Sequence, residues 1–376
     1  IVGTRKNGKG ATTLHRYNKN SKTWSNDGSL FYQATSSDYG AFWEMPVVIQ
    51  MNDGKWMFIA TPLGAKEGVE TLYWVGTINH DGTFNPFSHI PKEIEVGNMS
   101  KDGFGLLSPS IMQKNGKNIA IGIVPDKLSG EDNYQLGWAH TYSLPREWSI
   151  DSSNTLIQKP YEGLKLLRSN AVSHDSINKR SLNGTQTISS VYGKAVEIEG
   201  IFTISSQQNQ KFGFRVRKSD DDHAIEIFYE PNKNLFTVDA RSINRLVNDG
   251  WLYNGLYSSP LPETLSVGQT CKMHIFMDHS IMDIFINDKW AFSIRIFPTD
   301  YYSDGVEVFS EGTTTFINSL KAWKYDTKSI ANIRDAQDEK NINIYFSHNK
   351  LVYENLPKHC SLNIYDSLGR ILANNV

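Results

Sequence analysis

From residue 47 to residue 150, tight-turn signals recur every ~30 residues, a repeat length typical of stacked supersecondary units. The turns are Asn52-Asp53-Gly54, His80-Asp81-Gly82 and Asn115-Gly116. Asp-Gly and Asn-Gly supply the positive φ angles that short hairpins demand. The runs between them are apolar and β-branched, such as Leu72-Tyr73-Trp74-Val75-Gly76-Thr77-Ile78 and Ile119-Ala120-Ile121-Gly122-Ile123. Small antiparallel sheets repeated at this period point to propeller blades. No 3.6-residue apolar period runs through this part, so no amphipathic helix is expected there.

Residues 151–190 are polar and rich in Ser and Asn, and read as a linker. Alternation resumes from 191 to 326, for example in Ala195-Val196-Glu197-Ile198-Glu199-Gly200-Ile201-Phe202 and Phe212-Gly213-Phe214-Arg215-Val216-Arg217. Several alternating strands mean sheets with one buried face each, hence a sandwich. After Trp323 the chain turns polar and charged, then shows further strand-like runs. The expected class is all-β. The expected organisation is a propeller over 1–155, a linker over 156–190, a sandwich over 191–326, and a linker with a partial β module over 327–376.

The totals remove several functions. Lys and Arg number 38 against 40 Asp and Glu, and no basic stripe appears, so nucleic acid is not an expected partner. No run approaches the length of a membrane helix. Cys271 and Cys360 fall in different modules and define neither a disulfide framework nor a metal site. The ten His residues form no His-x-x-x-His pair, so a metal site is not expected. His274 and His279 read as packing or solvent-facing residues. Gly3-Thr4-Arg5-Lys6-Asn7-Gly8-Lys9 mimics a phosphate loop, but Gly10 stands where Ser or Thr is required, and a strand follows instead of a helix. A hairpin turn accounts for it better. Gly103-Phe104-Gly105 likewise lacks the strand–helix setting of a dinucleotide loop. Aromatics make up 12% of the chain, which suits β packing and also sugar stacking.

One carboxylate stands out. Glu44 lies between Trp43 and Met45-Pro46 at the mouth of a strand. An acid beside a bulky ring among apolar residues loses solvation, and such a group suits proton donation near neutral pH. The four residues alone are a weak signal, because acids at strand starts are common and most are solvated.

Trp43-Glu44-Met45-Pro46 resembles the Trp-Glu-Cys-Pro motif of glycoside hydrolase family 32, the invertases, levanases and inulinases. Gly137-Trp138-Ala139-His140-Thr141-Tyr142-Ser143-Leu144-Pro145-Arg146-Glu147 is similar to the Gly-Trp-Ala-Gly…Ser-Leu-Pro-Arg-Glu segment that closes the family's propeller. Gly105-Leu106-Leu107-Ser108-Pro109-Ser110 and Ile121-Gly122-Ile123 stand where the family has Phe-Tyr-Ala-Pro-Gln-Ser and Ile-Gly-Trp, so the sugar subsites depart from the pattern. Residues 274–298 look like the family's sandwich signature, with Asp283 in a Glu position. Residues 362–372 resemble part of a sorting module of secreted bacterial proteins.

The resemblance implies a partial five-bladed β-propeller, about blades three to five, followed by a C-terminal β-sandwich. It implies retaining hydrolysis of β-fructofuranosides (sucrose, inulin or levan), no cofactor, a fructose-containing saccharide as partner, and an extracellular, periplasmic or cell-surface location. Glu44 takes the place of the general acid/base. Trp138 is either at the rim of the sugar pocket or a core aromatic that closes the propeller. The family's nucleophile motif, Asn-Asp-Pro-Asn-Gly, and its Arg-Asp-Pro motif are absent, so no nucleophile is expected in these residues. Asp27 and Asp53 read as turn acids, and Asp53 lies a strand length from Glu44, over ~20 Å at ~3.3 Å per residue. The expectation is an N-terminally truncated enzyme, inactive alone. The rival expectation is a non-catalytic carbohydrate-binding protein with a lectin-like sandwich.

Overall fold

Three antiparallel sheets form in succession. The first joins β1 (Val2–Lys6) and β2 (Lys9–Leu14), then, after a separate hairpin of β3 (Tyr17–Asn18) and β4 (Thr23–Trp24), β5 (Ser29–Gln33). The second holds β6 (Phe42–Gln50), β7 (Trp56–Leu63), β8 (Leu72–Ile78), β9 (Phe84–Pro86) and β10 (Lys92–Glu93). The third holds β11 (Leu107–Lys114), β12 (Lys117–Val124), β13 (Thr141–Tyr142), β14 (Arg146–Ile150) and β15 (Leu156–Pro160). The structure is a computed structural model. It describes every residue except 26–27, 52–53, 67–70, 96–104, 169–178, 220–222, 244–254, 299–302, 326–342, 348–349, 355–363, 366–370 and 374–376. Asp27, Asp53, Gly103, Phe104 and Cys360 therefore lie outside the described residues.

Strand β7 shows how the sheets stack. Met57 and Ile59 enter one core with Tyr73, Val75, Ile94, Ala120, Trp148 and Leu156. Phe58 and Ala60 enter another with Phe31, Tyr32, Trp43, Leu72 and Trp74. The middle sheet is thus buried on both faces, and such strands carry continuous apolar runs in place of alternation. Asn7 and Gly8, at φ 52° and 72°, make the β1–β2 turn. This is the hairpin expected for the phosphate-loop mimic.

A single ten-stranded ladder follows, from β16 (Arg180–Thr187), β17 (Ala195–Thr203), β18 (Lys211–Lys218), β19 (Ile225–Glu230), β20 (Leu235–Asp239) and β21 (Leu256–Pro260) through β22 (Thr270–Asp278), β23 (Ile281–Ile286), β24 (Trp290–Arg295) and the long β25 (Gly305–Lys324). Its order is β21-β20-β19-β18-β25-β17-β22-β23-β24, with β16 on β25. The first part of β25 pairs with β18 and the last part with β17. Phe236 of β20 and Phe292 of β24, near opposite ends of that order, meet edge to face at 5.7 Å. The Tyr257 hydroxyl of β21 donates to the Arg295 carbonyl at 3.1 Å. The ladder therefore folds over on itself into two layers around one core.

The stretch read as a linker, 156–190, carries β15 at its start and β16 near its end. Of β16 only Leu182 is buried, so main-chain pairing to β25 defines it and no apolar alternation announces it. A short helix, α1 (Gly130–Leu136), was not expected. It buries no residue, which is why its sequence shows no apolar period. The chain falls into two units, Ile1–Ser129 with His140–Tyr325, and Gly130–Ala139 with Asp326–Val376. The second contains α1 and two hairpins, β26 (Asn343–Ser347) with β27 (Lys350–Glu354) and β28 (Ile364–Tyr365) with β29 (Ile371–Ala373). Among the described residues no helix is long and apolar enough to cross a membrane.

Candidate active site

Glu44 is the third residue of β6. Trp43 pairs with Pro62 and Glu44 with Thr61, but the next pair is Val47 with Ile59. Met45 and Pro46 thus oppose one residue, which is a β-bulge. Met45 takes φ 46°, in the left-handed region.

The expected shielding of the carboxylate by the Trp43 ring is not what the structure builds. Consecutive strand residues point to opposite faces. The indole goes into the core, fully buried, with its centroid 4.9 Å from Trp74, 5.4 Å from Phe58 and 5.7 Å from Tyr32. Its Nε1–H donates to the Tyr39 carbonyl at 2.8 Å. Gly10 admits the ring, since a Cβ there would lie 2.4 Å from the indole. Trp43 is an anchor beneath the strand. Glu44 stays half-buried on the other face. Among the described residues its carboxylate has no hydrogen bond or ion pair. Thr61, directly across the ladder, is 7% exposed, and its hydroxyl has no partner.

A second group of ionisable residues sits where the third sheet meets the ten-stranded ladder. Arg146 of β14 is fully buried and reaches two carboxylates. Its Nη1 donates to Glu95, and its Nη2 to Asp283 of β23 at 2.6 Å. Glu95 also accepts from the backbone N–H groups of Leu106 and Ser293, each at 3.1 Å. Asp283 accepts from the Leu144 N–H at 2.9 Å. The Ser293 Oγ lies 2.8 Å from Glu95 and 2.6 Å from Asp283. One hydroxyl hydrogen cannot serve two acceptors. The two carboxylates therefore compete for that hydrogen. Burial pushes the Glu95 carboxyl above its ordinary range, and the nearby Asp283 charge pushes the same way against the pull of Arg146. This cluster holds two modules together and is closed to solvent.

Sequence reasoning quoted Arg146 and Asp283 only as parts of longer motifs and missed Glu95 and Ser293. A charged residue opening the strand Arg146-Glu147-Trp148-Ser149-Ile150 was the available signal. His274 is buried and bonded to Glu197 at 2.7 Å, and His279 is exposed beside Asp278. Trp138 follows α1 in the smaller unit and is 41% exposed, so it is not a core aromatic. A cleft of about 310 Å³ is lined by Tyr73, Ile94, Leu156 and Trp290 and does not include Glu44. Among the described residues no group of three or more His, Cys, Asp and Glu is placed to hold a metal.

Residues 1–160 match the family described as glycosyl hydrolases family 32 N-terminal domain, and residues 163–324 match its C-terminal counterpart. The chain belongs to glycoside hydrolase family 32. The family 32 relatives include the sucrose-6-phosphate hydrolase of Staphylococcus xylosus, 26% identical over 81% of this chain and 58% of that protein. The levanase of Bacillus subtilis is 25% identical over 81% of this chain and 48% of that protein. The chain thus spans about half the length of these curated relatives. Among solved structures, fructan 1-exohydrolase IIa from Cichorium intybus superposes with a TM-score of 0.70 at 18% identity, over 86% of this chain and 68% of that one. Exo-inulinase from Aspergillus awamori gives 0.67 at 19% identity, over 85% and 62%. The family 32 fold is a β-propeller followed by a β-sandwich, the arrangement of the three sheets and the folded ladder here.

Proposed function

We propose that this family 32 chain belongs to a glycosidase that hydrolyses β-D-fructofuranosides, with Glu44 as general acid/base. The observation that carries the reading is the Trp-Glu-Met-Pro bulge at the head of β6, which presents an unpaired, half-buried carboxyl on a strand anchored by Trp43. In a retaining mechanism one carboxyl protonates the leaving-group oxygen while a second attacks the sugar carbon. The first, now a carboxylate, then takes a proton from the water that releases fructose. Glu44 fits the first role. The family's nucleophile motif does not occur in these 376 residues, and the mechanism requires a second carboxylate beside Glu44. Sucrose, inulin and levan are the substrates to test.

The experiment is fructose release by the full-length protein and its Glu44→Gln variant. Loss of general acid/base help lowers turnover by roughly 10²–10⁴-fold. Near-normal turnover in the variant removes Glu44 from the mechanism. No release from any of the three substrates by the unsubstituted protein removes the activity.

A further inference from the structure

We infer that the left-handed backbone at Met45 is the device that aims Glu44, which makes Met45 a positioning residue for the acid/base step; the inference rests on the reading of Glu44 given above. Three observations converge on it. The first is direction. Strict alternation along β6 would return Met45 to the buried face that takes Trp43. Met45 is instead 44% exposed while Trp43 is 0% exposed. The extra residue and the φ of 46° turn the chain, so that Glu44 and Met45 both stay off the core.

The second is that the conformation is imposed. A long side chain rarely adopts positive φ, and a residue before proline is restricted further. Such a backbone persists only where its surroundings over-determine it. On one side Trp43 is pinned by its bond to Tyr39 and by the space at Gly10. Its carbonyl oxygen also abuts Gly3, where a Cβ would lie 2.1 Å away. On the other side Pro46 has a fixed φ and no N–H, so it spans the gap in the ladder without leaving a donor unpaired. Val47 then rejoins the register opposite Ile59.

The third is that no described residue holds the carboxyl. Among the described residues Glu44 has no hydrogen-bonding or ionic partner. Its direction is therefore set by its own backbone, and the torsion next to it is that of Met45. Bulges beside reactive centres commonly re-aim a side chain in this way.

The test is a substitution series at position 45 in the full-length protein, with kcat and KM measured on sucrose and on an aryl β-fructofuranoside. Gly and Asn tolerate positive φ, Ala less so, and a β-branched residue least. Met45→Gly, Met45→Asn and Met45→Ala, none less tolerant of positive φ than Met, are expected to keep kcat within about threefold and Met45→Val to lose about 10²-fold, the scale of a misplaced catalytic group, with KM little changed. The aryl substrate, whose leaving group needs little protonation, is expected to recover most of the loss in kcat/KM, while kcat stays limited by the second step, in which Glu44 is the base. Circular dichroism melts check folding, and Met45→Thr, β-branched but smaller, carries the test if Met45→Val does not fold. A kcat order that follows side-chain size, with Met45→Gly worst, overturns the inference. So do equal kcat values across the series or a change confined to KM. Near-normal turnover by Glu44→Gln, or none by the parent protein, overturns the reading of Glu44 itself and this inference with it.

Discussion

Arg146 of the third sheet and Asp283 of the ladder meet at 2.6 Å, both out of contact with solvent, although 137 residues separate them in sequence. The same guanidinium reaches Glu95. Removing one partner of a buried ion pair leaves the remaining charge uncompensated, at a cost of about 3–5 kcal/mol. Arg146→Met is expected to lose stability on that scale in urea unfolding. A loss below about 1 kcal/mol would show that the cluster is not what joins the two modules.

The raised Glu95 carboxyl has a signature in pH. A carboxyl whose pKa is raised by folding binds more protons in the folded state than in the unfolded one, so stability falls as pH rises. The contribution is complete below the ordinary glutamate value of about 4.3 and is lost as pH climbs toward the raised folded value. Glu95→Gln cannot titrate, and its amide can still donate to Ser293. The difference in melting temperature between parent and variant is expected to move in the variant's favour as pH rises. A difference that is flat in pH, or of opposite slope, would contradict the upward shift of Glu95.

Gly10 tests the anchor under Glu44. A Cβ at that position would lie 2.4 Å from the Trp43 indole, so Gly10→Ala must displace the ring. Overpacking of this kind costs about 1–3 kcal/mol. The expected outcome is a lower urea midpoint together with altered near-ultraviolet dichroism from the tryptophans. An unchanged spectrum would mean that the indole is not confined there.

Thr61 gives a prediction of opposite sign. Its buried hydroxyl has no partner, and an unsatisfied buried polar group is a liability that an apolar group of the same shape removes. Thr61→Val is expected to stabilise by about 1 kcal/mol in urea unfolding. Destabilisation by a similar amount would reveal a hydrogen bond at Oγ1.

Much of this architecture was written in local pattern. Recurring turns marked hairpins of the second and third sheets, and the continuous apolar run around Met57, Phe58, Ile59 and Ala60 carried the signature of a strand buried on both faces. Alternation in strands such as Ala195–Thr203 marked the ladder, and the Trp-Glu-Met-Pro motif singled out Glu44. These features are legible because side-chain period and turn chemistry are properties of neighbouring residues. Strand β16 and helix α1 were not, since one is held by main-chain pairing and the other buries nothing.

Only the tertiary structure decided which way Trp43 faces, what Met45 does to the chain, and that Glu95, Arg146, Asp283 and Ser293 share one buried network. Chain neighbours such as Trp43 and Glu44 are sent to opposite faces by the pleat, so adjacency in sequence misleads about contact. Glu95 and Ser293, 198 residues apart, are brought together by docking of the sandwich on the propeller. No local period records that encounter, because its energy exists only once both surfaces have left water.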